Sequence, residues 1–319
     1  MKPSSYPKRL ETEKANVKEI HQPWHLNGRC PEGTVPLVRT QKSDQMRAVS
    51  PKNFNKKYPN EVLHPQAGDD QKNHEHAVFF VNNTNSGGKA EINIWNPRVE
   101  PGDFSIAGLS VTTREIQTYL SVGWMVNPSM FGDNLTRIFM YWTVDGSVNT
   151  GCYNHQCSGF VQVNNVIALG GTASPISVYD GPQYQMAVSI FKDVKTGHWW
   201  LQVQGNALGY WPSSLVPRLA NGTEVVQYGG EVFDSRGNGG GHTTTEMGSG
   251  HFGGDGERKA SVFTNIQVVD PAKNAYVIPQ HISGFADRRN CYDLTGVRMT
   301  QNWGLHFFYG GPGRNPNCP

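Results

Sequence analysis

The stretch Val225–Phe233, VVQYGGEVF, predicts a β-strand with a carboxylate inside it. Its β-branched and aromatic residues favour strand structure. No basic residue stands near Glu231, and burial disfavours the charged form of a carboxyl group. Two interpretations remain open. Glu231 lies on an edge strand and points to solvent, or it belongs to a pair of carboxyl groups that share a proton and work as acid and base.

Similar strand patterns recur along the chain from His76, with turns rich in Gly, Pro, Asn and Asp between them. About ten such segments favour an all-β fold, a sandwich or barrel of antiparallel sheets. One short helix is expected at 212–219, and NPSMFGDN at 127–134 is expected to be a turn. The predicted strands are 76–83, 90–97, 119–128, 136–145, 159–165, 184–193, 198–204, 225–233, 260–270 and 303–311.

The composition excludes several classes of function. The formal charge of the 319 residues is +2, which gives no reason to expect nucleic acid or an anionic membrane as a partner. No apolar run approaches the length that spans a bilayer. Gly-rich GGTAS and GNGGGH lack the strand–loop–helix context of a phosphate-binding loop, and no G-x-S-x-G serine motif occurs.

Charged residues are concentrated before residue 77, whereas aromatic residues are concentrated after it. This shift predicts a boundary, with a largely irregular segment at 1–72 and the main domain at 73–319. The first segment is too polar to bury much core alone. It is expected to be a linker, a tail, or a segment that folds against the main domain.

The five cysteines are Cys30, Cys152, Cys157, Cys291 and Cys318. A tight hairpin can bring Cys152 and Cys157 within bonding reach, and Cys318 could tie the C-terminus to Cys291. Five reduced thiols are the alternative. Two disulfides are preferred because no zinc-type histidine–cysteine spacing accompanies the cysteines; Cys30 is left over.

Three further motifs have ordinary explanations. In NHEHA, His74 and His76 could bind zinc from one strand face, but no third ligand is evident, and a solvated polar linker is preferred. Adjacent Trp199 and Trp200 are expected to face opposite sides of a sheet. In EMGSGHF, a surface loop is the plainer interpretation of Glu246, and glycines that let the backbone approach a ligand are the alternative.

Three sequons, at Asn82, Asn134 and Asn221, are typical of an extracellular chain. Against this, the first 20 residues contain no apolar region of the kind a signal peptide has. The sequence alone does not decide between the two.

Taken together, eight segments resemble the plant neprosin family, in order, over about residues 28–319. They are CPEGTVPLVRT, GWMVNPSMFGDNLTRIFMYWT, GCYNHQCSGFVQ, GYWPSSL, YGGEVFDS, EMGSGHF, ASVFTNIQVVD and YGGPGRNPNCP.

The resemblance implies an activation peptide around Cys30 to Lys72, followed by a catalytic antiparallel β-sandwich. It also implies two bridges, Cys152–Cys157 and Cys291–Cys318. The family includes secreted glutamic endopeptidases that cleave after proline at acidic pH. A secreted or apoplastic location, a proline-containing substrate, a monomeric state and no metal or organic cofactor follow as expectations.

The family's catalytic pair is two glutamates, and the resemblance assigns one of them to Glu231. The other position is Ser121, in TYLSVGW, so the second acid is replaced by a serine. Glu115 lies six residues earlier and is a poor substitute, because six residues of strand span roughly 20 Å. A serine hydrogen-bonds water but is no acid or base near neutral pH.

Two functions therefore remain as hypotheses. The first is an active glutamic prolyl endopeptidase, with Glu231 as one acid and an unconventional helper at Ser121 or elsewhere. The serine at 121 favours impaired or absent catalysis. The second is a peptidase-like domain that binds proline-rich peptides or cell-wall glycoproteins without cleaving them; a purely structural glycoprotein is a third possibility. Residues expected to contact substrate are Trp124, Tyr228, Gly229, Gly230, Glu246, Ser249 and His251.

Overall fold

The computed structural model describes residues 1–10, 20–28, 30–39, 73–236 and 241–319. Within these ranges the regular secondary structure consists almost entirely of β-strands. No helix among the described residues is long and apolar enough to cross a membrane.

Seventeen strands follow one another along the described chain. They are β1 (His74–Asn85), β2 (Gly87–Asn93), β3 (Phe104–Thr112), β4 (Tyr119–Val126), β5 (Arg137–Thr143), β6 (Cys152–Tyr153), β7 (Val161–Gln162), β8 (Gln185–Lys192), β9 (Trp199–Val203), β10 (Asn206–Trp211), β11 (Thr223–Phe233), β12 (Ser261–Asp270), β13 (Ala275–Val277), β14 (Ser283–Ala286), β15 (Asp293–Leu294), β16 (Arg298–Thr300) and β17 (Gly304–Gly310).

The strands form two antiparallel sheets, which confirms the predicted β-sandwich. The first sheet has seven strands in the order β14-β1-β11-β3-β4-β5-β6. The second has ten, with β15-β17-β12-β2-β8-β9-β10-β7 in sequence and β13 and β16 paired to β12 and β17. Strand β11, which carries Glu231, lies between β1 and β3 and is therefore not an edge strand.

Alternation along the strands divides the apolar residues between two faces. On β11, Val226, Tyr228 and Val232 belong to the main core between the sheets. The intervening side chains point to the outer face of the seven-stranded sheet, where a second apolar cluster around Met125 and Phe139 lies. Glu231 therefore lies on the face that does not contact the other sheet.

The same alternation separates the two neighbouring tryptophans, as expected. Trp199 belongs to the main core, whereas Trp200 packs against Tyr210 on the other side of its sheet, with ring centroids 4.8 Å apart.

Two expectations about local structure are wrong. The only α-helix in the described chain is α1 (Pro128–Phe131), within the segment expected to be a turn; Asn127 caps it by accepting from the Met130 N–H. Residues 212–219 instead contain a single 3-10 turn at Pro217–Leu219, where two prolines limit helix growth. Further 3-10 turns lie at Pro23–Asn27 and Gly253–Asp255.

Strand β3 was not among the predicted strands, although it is central to the seven-stranded sheet. Its sequence, FSIAGLSVT, has serine, alanine and glycine between its larger apolar residues. These small residues weaken a strand signal that depends on β-branched and aromatic residues. Because β3 separates β11 from β4, it also separates Glu231 from Ser121.

The described N-terminal residues fold against the main domain, one of the three options for this segment. Ile20 enters the main core, and the Gln22 side chain makes two hydrogen bonds with the backbone of Ala168, at 2.9 and 2.8 Å. Ser4 and Ser5 donate to the buried carboxylate of Asp193. The segment is therefore docked, with residues 40–72 outside the described part.

Both expected disulfides are present. Cys152 bonds to Cys157, and Cys291 bonds to Cys318 near the C-terminus. Cys30 is a free cysteine, partly buried. The first bridge closes the short segment that follows edge strand β6, and the second ties the C-terminus to the turn before β15.

Candidate active site

A cleft opens on the outer face of the seven-stranded sheet. It contains both positions of the expected catalytic pair, Glu231 on β11 and Ser121 on β4. Among the lining residues, Glu231 is the one acidic or basic side chain. The cleft is lined by Val78, Ile106, Gly108, Ser110, Tyr119, Ser121, Gln227, Gly229, Gly230 and Glu231.

Three glycines form a row on adjacent strands, and two of them, Gly108 and Gly229, line the cleft. Gly229 pairs with Gly108, and Gly108 pairs with Gly123, so the three lie in one row across the sheet. A Cβ atom on Gly123 would lie 1.9 Å from the Ala107 carbonyl oxygen, which no side chain tolerates. The absence of side chains along this row leaves room for a ligand close to the backbone.

One end of the cleft holds Glu231, which two histidines from the neighbouring strand support. His74 Nδ1 lies 3.0 Å from Glu231 Oε1, and His76 Nε2 lies 3.9 Å from Oε2. Both histidines and Glu231 are 5% exposed. His76 Nδ1 also lies 3.0 Å from Asp287 Oδ2. A buried carboxylate needs such partners, because an unpaired charge in the interior is strongly unfavourable.

The preferred interpretation of His74 and His76 as a solvated linker is therefore wrong. Both lie in β1, where His76 pairs directly with Glu231 and His74 pairs with Phe233. Their spacing of two residues did put them on one strand face, as the zinc alternative required. The sequence around the histidines does not show which strand pairs with them. That strand, β11, lies about 155 residues further along the chain.

The other end of the cleft is polar but uncharged. Ser121 pairs with Ser110, and Ser110 pairs with Gln227, so the three form a row parallel to the glycines. Ser121 Oγ lies only 3.5 Å from the point where a Cβ on Gly108 would be. The serine hydroxyl thus leans over the glycine row, towards the end that holds Glu231.

Tyr153, on edge strand β6, belongs to the apolar cluster beside the cleft and was not singled out from the sequence. Its ring packs on Tyr141 and Phe139, at centroid distances of 4.9 and 6.0 Å. Its hydroxyl is buried without a hydrogen-bond partner among the described residues. Burial, and to a lesser extent the negative charge of Glu231, raises the pKa of Tyr153 well above its ordinary value. The hydroxyl therefore stays protonated and remains a hydrogen-bond donor.

Two of the residues expected to contact substrate point away from the cleft. Trp124 is fully buried in the main core, and its indole N–H donates to the Asn93 carbonyl oxygen. Tyr228 is also fully buried there and donates to the Gln267 carbonyl oxygen. Trp124 is three residues from Ser121, and Tyr228 is three residues from Glu231. An odd spacing along a strand places both side chains on the face of the sheet opposite the cleft. Gly229 and Gly230, by contrast, line the cleft.

The segment from Glu246 to His251 does not line the cleft either. Glu246 accepts a hydrogen bond from the Arg98 N–H at 2.8 Å, and Ser249 accepts one from the His251 N–H at 3.3 Å. His251 packs against Tyr179, with ring centroids 4.4 Å apart. Between them, Met247 fills the space above Gly230 on the core face of β11. The segment therefore supports β11 from behind.

Other candidate positions lie on the surface. Glu115 is exposed in the turn before β4, outside the cleft, so it does not stand in for an acid at Ser121. The three sequon asparagines, Asn82, Asn134 and Asn221, are exposed, as glycosylation requires. Their modification stays a prediction.

One group of potential metal ligands exists in the described chain, and its chemistry argues against a metal. The ligand atoms of His242, Cys291 and Cys318 lie within 4.8 Å of one another. Both sulfurs belong to a disulfide, whereas a metal binds cysteine as the thiolate. His242 instead contacts Glu75, with Nε2 2.9 Å from Oε1.

Comparison with known proteins agrees with the motifs. The Neprosin family profile matches residues 101–312, and the Neprosin activation peptide profile matches residues 1–80, a match that extends into β1.

Among solved structures, the fold resembles Scytalido-glutamic peptidase with a peptide-based transition-state analog. That match has a TM-score of 0.41 and 12% identity over 76% of this chain and 98% of that one. SCP-B, an Eqolisin-family peptidase in complex with the tripeptide Ala-Ile-His, matches with a TM-score of 0.37 and 11% identity over 75% and 98% of the two chains.

Proposed function

Because this chain belongs to the neprosin family, which the Neprosin match over residues 101–312 shows, we propose that it is a glutamic-type endopeptidase of reduced efficiency. Its substrate is an extended peptide that contains proline. The observation that carries the proposal is that Glu231 and Ser121, the two positions of the expected pair, line the same cleft.

Glu231 can perform both proton transfers of amide hydrolysis by itself. As a carboxylate it accepts a proton from water while the water oxygen bonds to the scissile carbonyl carbon. The protonated carboxyl group then gives that proton to the departing amine nitrogen as the C–N bond breaks. The hydrogen bond from His74 keeps Glu231 fixed during these steps, at a distance of 3.0 Å.

The serine at 121 affects the other requirement, stabilisation of the negative charge that develops on the carbonyl oxygen. A second carboxylic acid would donate a strong hydrogen bond and adjust its protonation, whereas a hydroxyl donates a weaker, neutral one. Loss of one such donor to the developing oxyanion costs roughly 10²–10³-fold in rate. Slow hydrolysis by one carboxylate is therefore the expected behaviour.

A second candidate function is peptide binding without cleavage, which the non-acidic Ser121 favours. The cleft has an aromatic side chain, Tyr119, and glycines along which an extended chain can lie. Proline-rich segments bind such surfaces well, because their backbone is already extended.

The test is hydrolysis of a quenched fluorescent peptide with one central proline by the full chain under acidic conditions. We expect slow cleavage after proline, loss of at least about 100-fold in Glu231→Gln, and a gain of similar size in Ser121→Glu. Glu224→Gln, on the same strand but at an exposed position, is the matched control and is expected to leave the rate unchanged.

The outcomes separate the two functions. Cleavage that survives Glu231→Gln would overturn the proposed mechanism. A parent and a Ser121→Glu variant that are both inert but bind the peptide would establish the second function instead. A twin peptide with alanine in place of proline tests the specificity, because equal cleavage of both would contradict it.

A further inference from the structure

The uncharged end of the cleft carries a set of hydrogen-bonding groups that the proposed proton transfers do not use. These are the carboxamide of Gln227 and the hydroxyls of Ser110 and Ser121, which lie side by side on β11, β3 and β4. All three residues line the cleft. Resting on the proposed function, we propose that this row is a neutral subsite that binds the main-chain carbonyl of a bound peptide, with Gln227 as the principal donor.

The first support is that these side chains are not committed elsewhere. Within the described ranges, none of the three makes a side-chain hydrogen bond to another protein group. Polar groups that are buried or nearly so usually have a partner. Ser110 and Ser121 are each 3% exposed, and Gln227 is half-buried, so a ligand is the natural partner for all three.

The second support is the chemistry of the row. Hydroxyl and carboxamide groups both donate and accept, and none of them is charged, which matches a peptide group rather than a charged side chain. Glu231 is the one acidic or basic side chain among the cleft-lining residues, and it lies at the opposite end. A cationic or anionic ligand group would find no opposite charge at the Gln227 end.

The third support is spacing. Gln227 and Glu231 point to the same face of β11, four residues apart, which is roughly 13 Å along the strand. Gly229 lies midway and presents no side chain, because a Cβ there would be 2.3 Å from the Ala77 carbonyl oxygen. A peptide group can therefore lie between the two ends, held at one and approached by the Glu231-bound water at the other.

The test measures peptide binding in a Glu231→Gln chain, so that hydrolysis does not interfere. The probe is a fluorescent octapeptide with a central proline, with fluorescence anisotropy as the readout. We expect Gln227→Leu in this background to weaken binding about fivefold, the size of one neutral hydrogen bond. Gln202→Leu is the matched control, since Gln202 lies on β9 of the other sheet and donates to the Gly205 carbonyl.

A second probe tests the contact with the peptide group after proline. It is the same octapeptide with that peptide group replaced by an E-alkene, which keeps the shape but removes both the carbonyl oxygen and the N–H. We expect the alkene to bind about fivefold more weakly to the Gln227-containing chain and no more weakly to Gln227→Leu. Thermal unfolding of each variant verifies that the fold is intact.

Equal affinity of the Gln227→Leu and Gln227-containing chains for the octapeptide would overturn the subsite. An equal loss of affinity for the alkene peptide in these two chains would overturn it as well. The proposed hydrolysis fails separately. If the parent never cleaves but the Gln227 effects appear, the subsite stands without the enzyme. If the parent cleaves and Gln227→Leu changes neither binding nor rate, the subsite alone is refuted. If the octapeptide does not bind at all, the subsite is refuted, whereas the proposed hydrolysis is judged by the cleavage assay of the parent.

Discussion

Replacing His74 by phenylalanine tests whether the imidazole stabilises the buried carboxylate of Glu231. The change keeps an aromatic ring in contact with Phe233 and Phe104, whose centroids lie 4.7 and 5.8 Å from that of His74. It removes the hydrogen bond between Nδ1 and Glu231 Oε1 at 3.0 Å. The experiment thus isolates the polar interaction from the packing.

The expected loss of stability in His74→Phe depends on how deeply the pair is buried and on which contacts of Glu231 remain. A hydrogen bond to a charged group contributes about 1.5–3 kcal/mol, and breaking a fully buried ion pair costs about 3–5 kcal/mol. His76 stays 3.9 Å from the other carboxylate oxygen and offsets part of the loss. We therefore expect a decrease of about 2–3 kcal/mol in the free energy of unfolding, which lowers Tm by about 5–10 °C.

The assay is urea denaturation of four proteins: the parent, His74→Phe, Glu231→Leu and the double variant. If the cost arises from the pair, His74→Phe becomes nearly neutral once Glu231 is leucine. A single-variant cost below about 0.5 kcal/mol, or a cost that persists undiminished in the Glu231→Leu background, would refute the pairing.

Two other substitutions test the glycine row beside the cleft and a second buried pair. Gly123→Ala is expected to lower the unfolding free energy by about 1–3 kcal/mol or more, because its Cβ would collide with the Ala107 carbonyl oxygen. Gly254→Ala is the control, because the space around Gly254 is open. Equal Tm values for the two variants would contradict the predicted collision. Burial lowers the pKa of His242, but the hydrogen bond and charge of Glu75 outweigh it, so that pKa is raised. A raised folded-state pKa gives stabilisation that is present below about pH 6.5 and lost as pH rises through the raised value. His242→Gln should therefore be less stable than the parent at about pH 5 and closer to it at about pH 9; a difference independent of pH in urea denaturation would argue against the pair.

Much of the site was predictable from local sequence, because it depends on strand periodicity. The nine residues around Glu231 do form a strand, and Ser121 lies on the same sheet face as Glu231. The same period of two would have excluded Tyr228 and Trp124 from the cleft, since each is three residues from a cleft-lining position on its own strand. The strand period thus argues against both residues, whereas the tendency of peptide substrates to bind aromatic surfaces argues for them.

The support of Glu231 was not predictable in this way. The contact with His74 depends on the pairing of β1 with β11, and the register of two strands so distant in sequence is set by the whole sheet. The helix α1 was missed for a different reason. Four residues give too short a pattern to show helical periodicity, so the cap at Asn127 was read as part of a turn.

The docked N-terminal segment determines how the protein would behave after a protease cuts the chain. Lys8 forms a β-bridge with Ala275, and His21 forms one with Ser174. The N-terminal segment is therefore attached to the main domain at points far from its covalent connection to β1. If a protease cuts between residues 39 and 73, the two pieces stay together through these contacts. The product would behave as a heterodimer of unequal chains, which migrates as one species under native conditions and as two under denaturing ones.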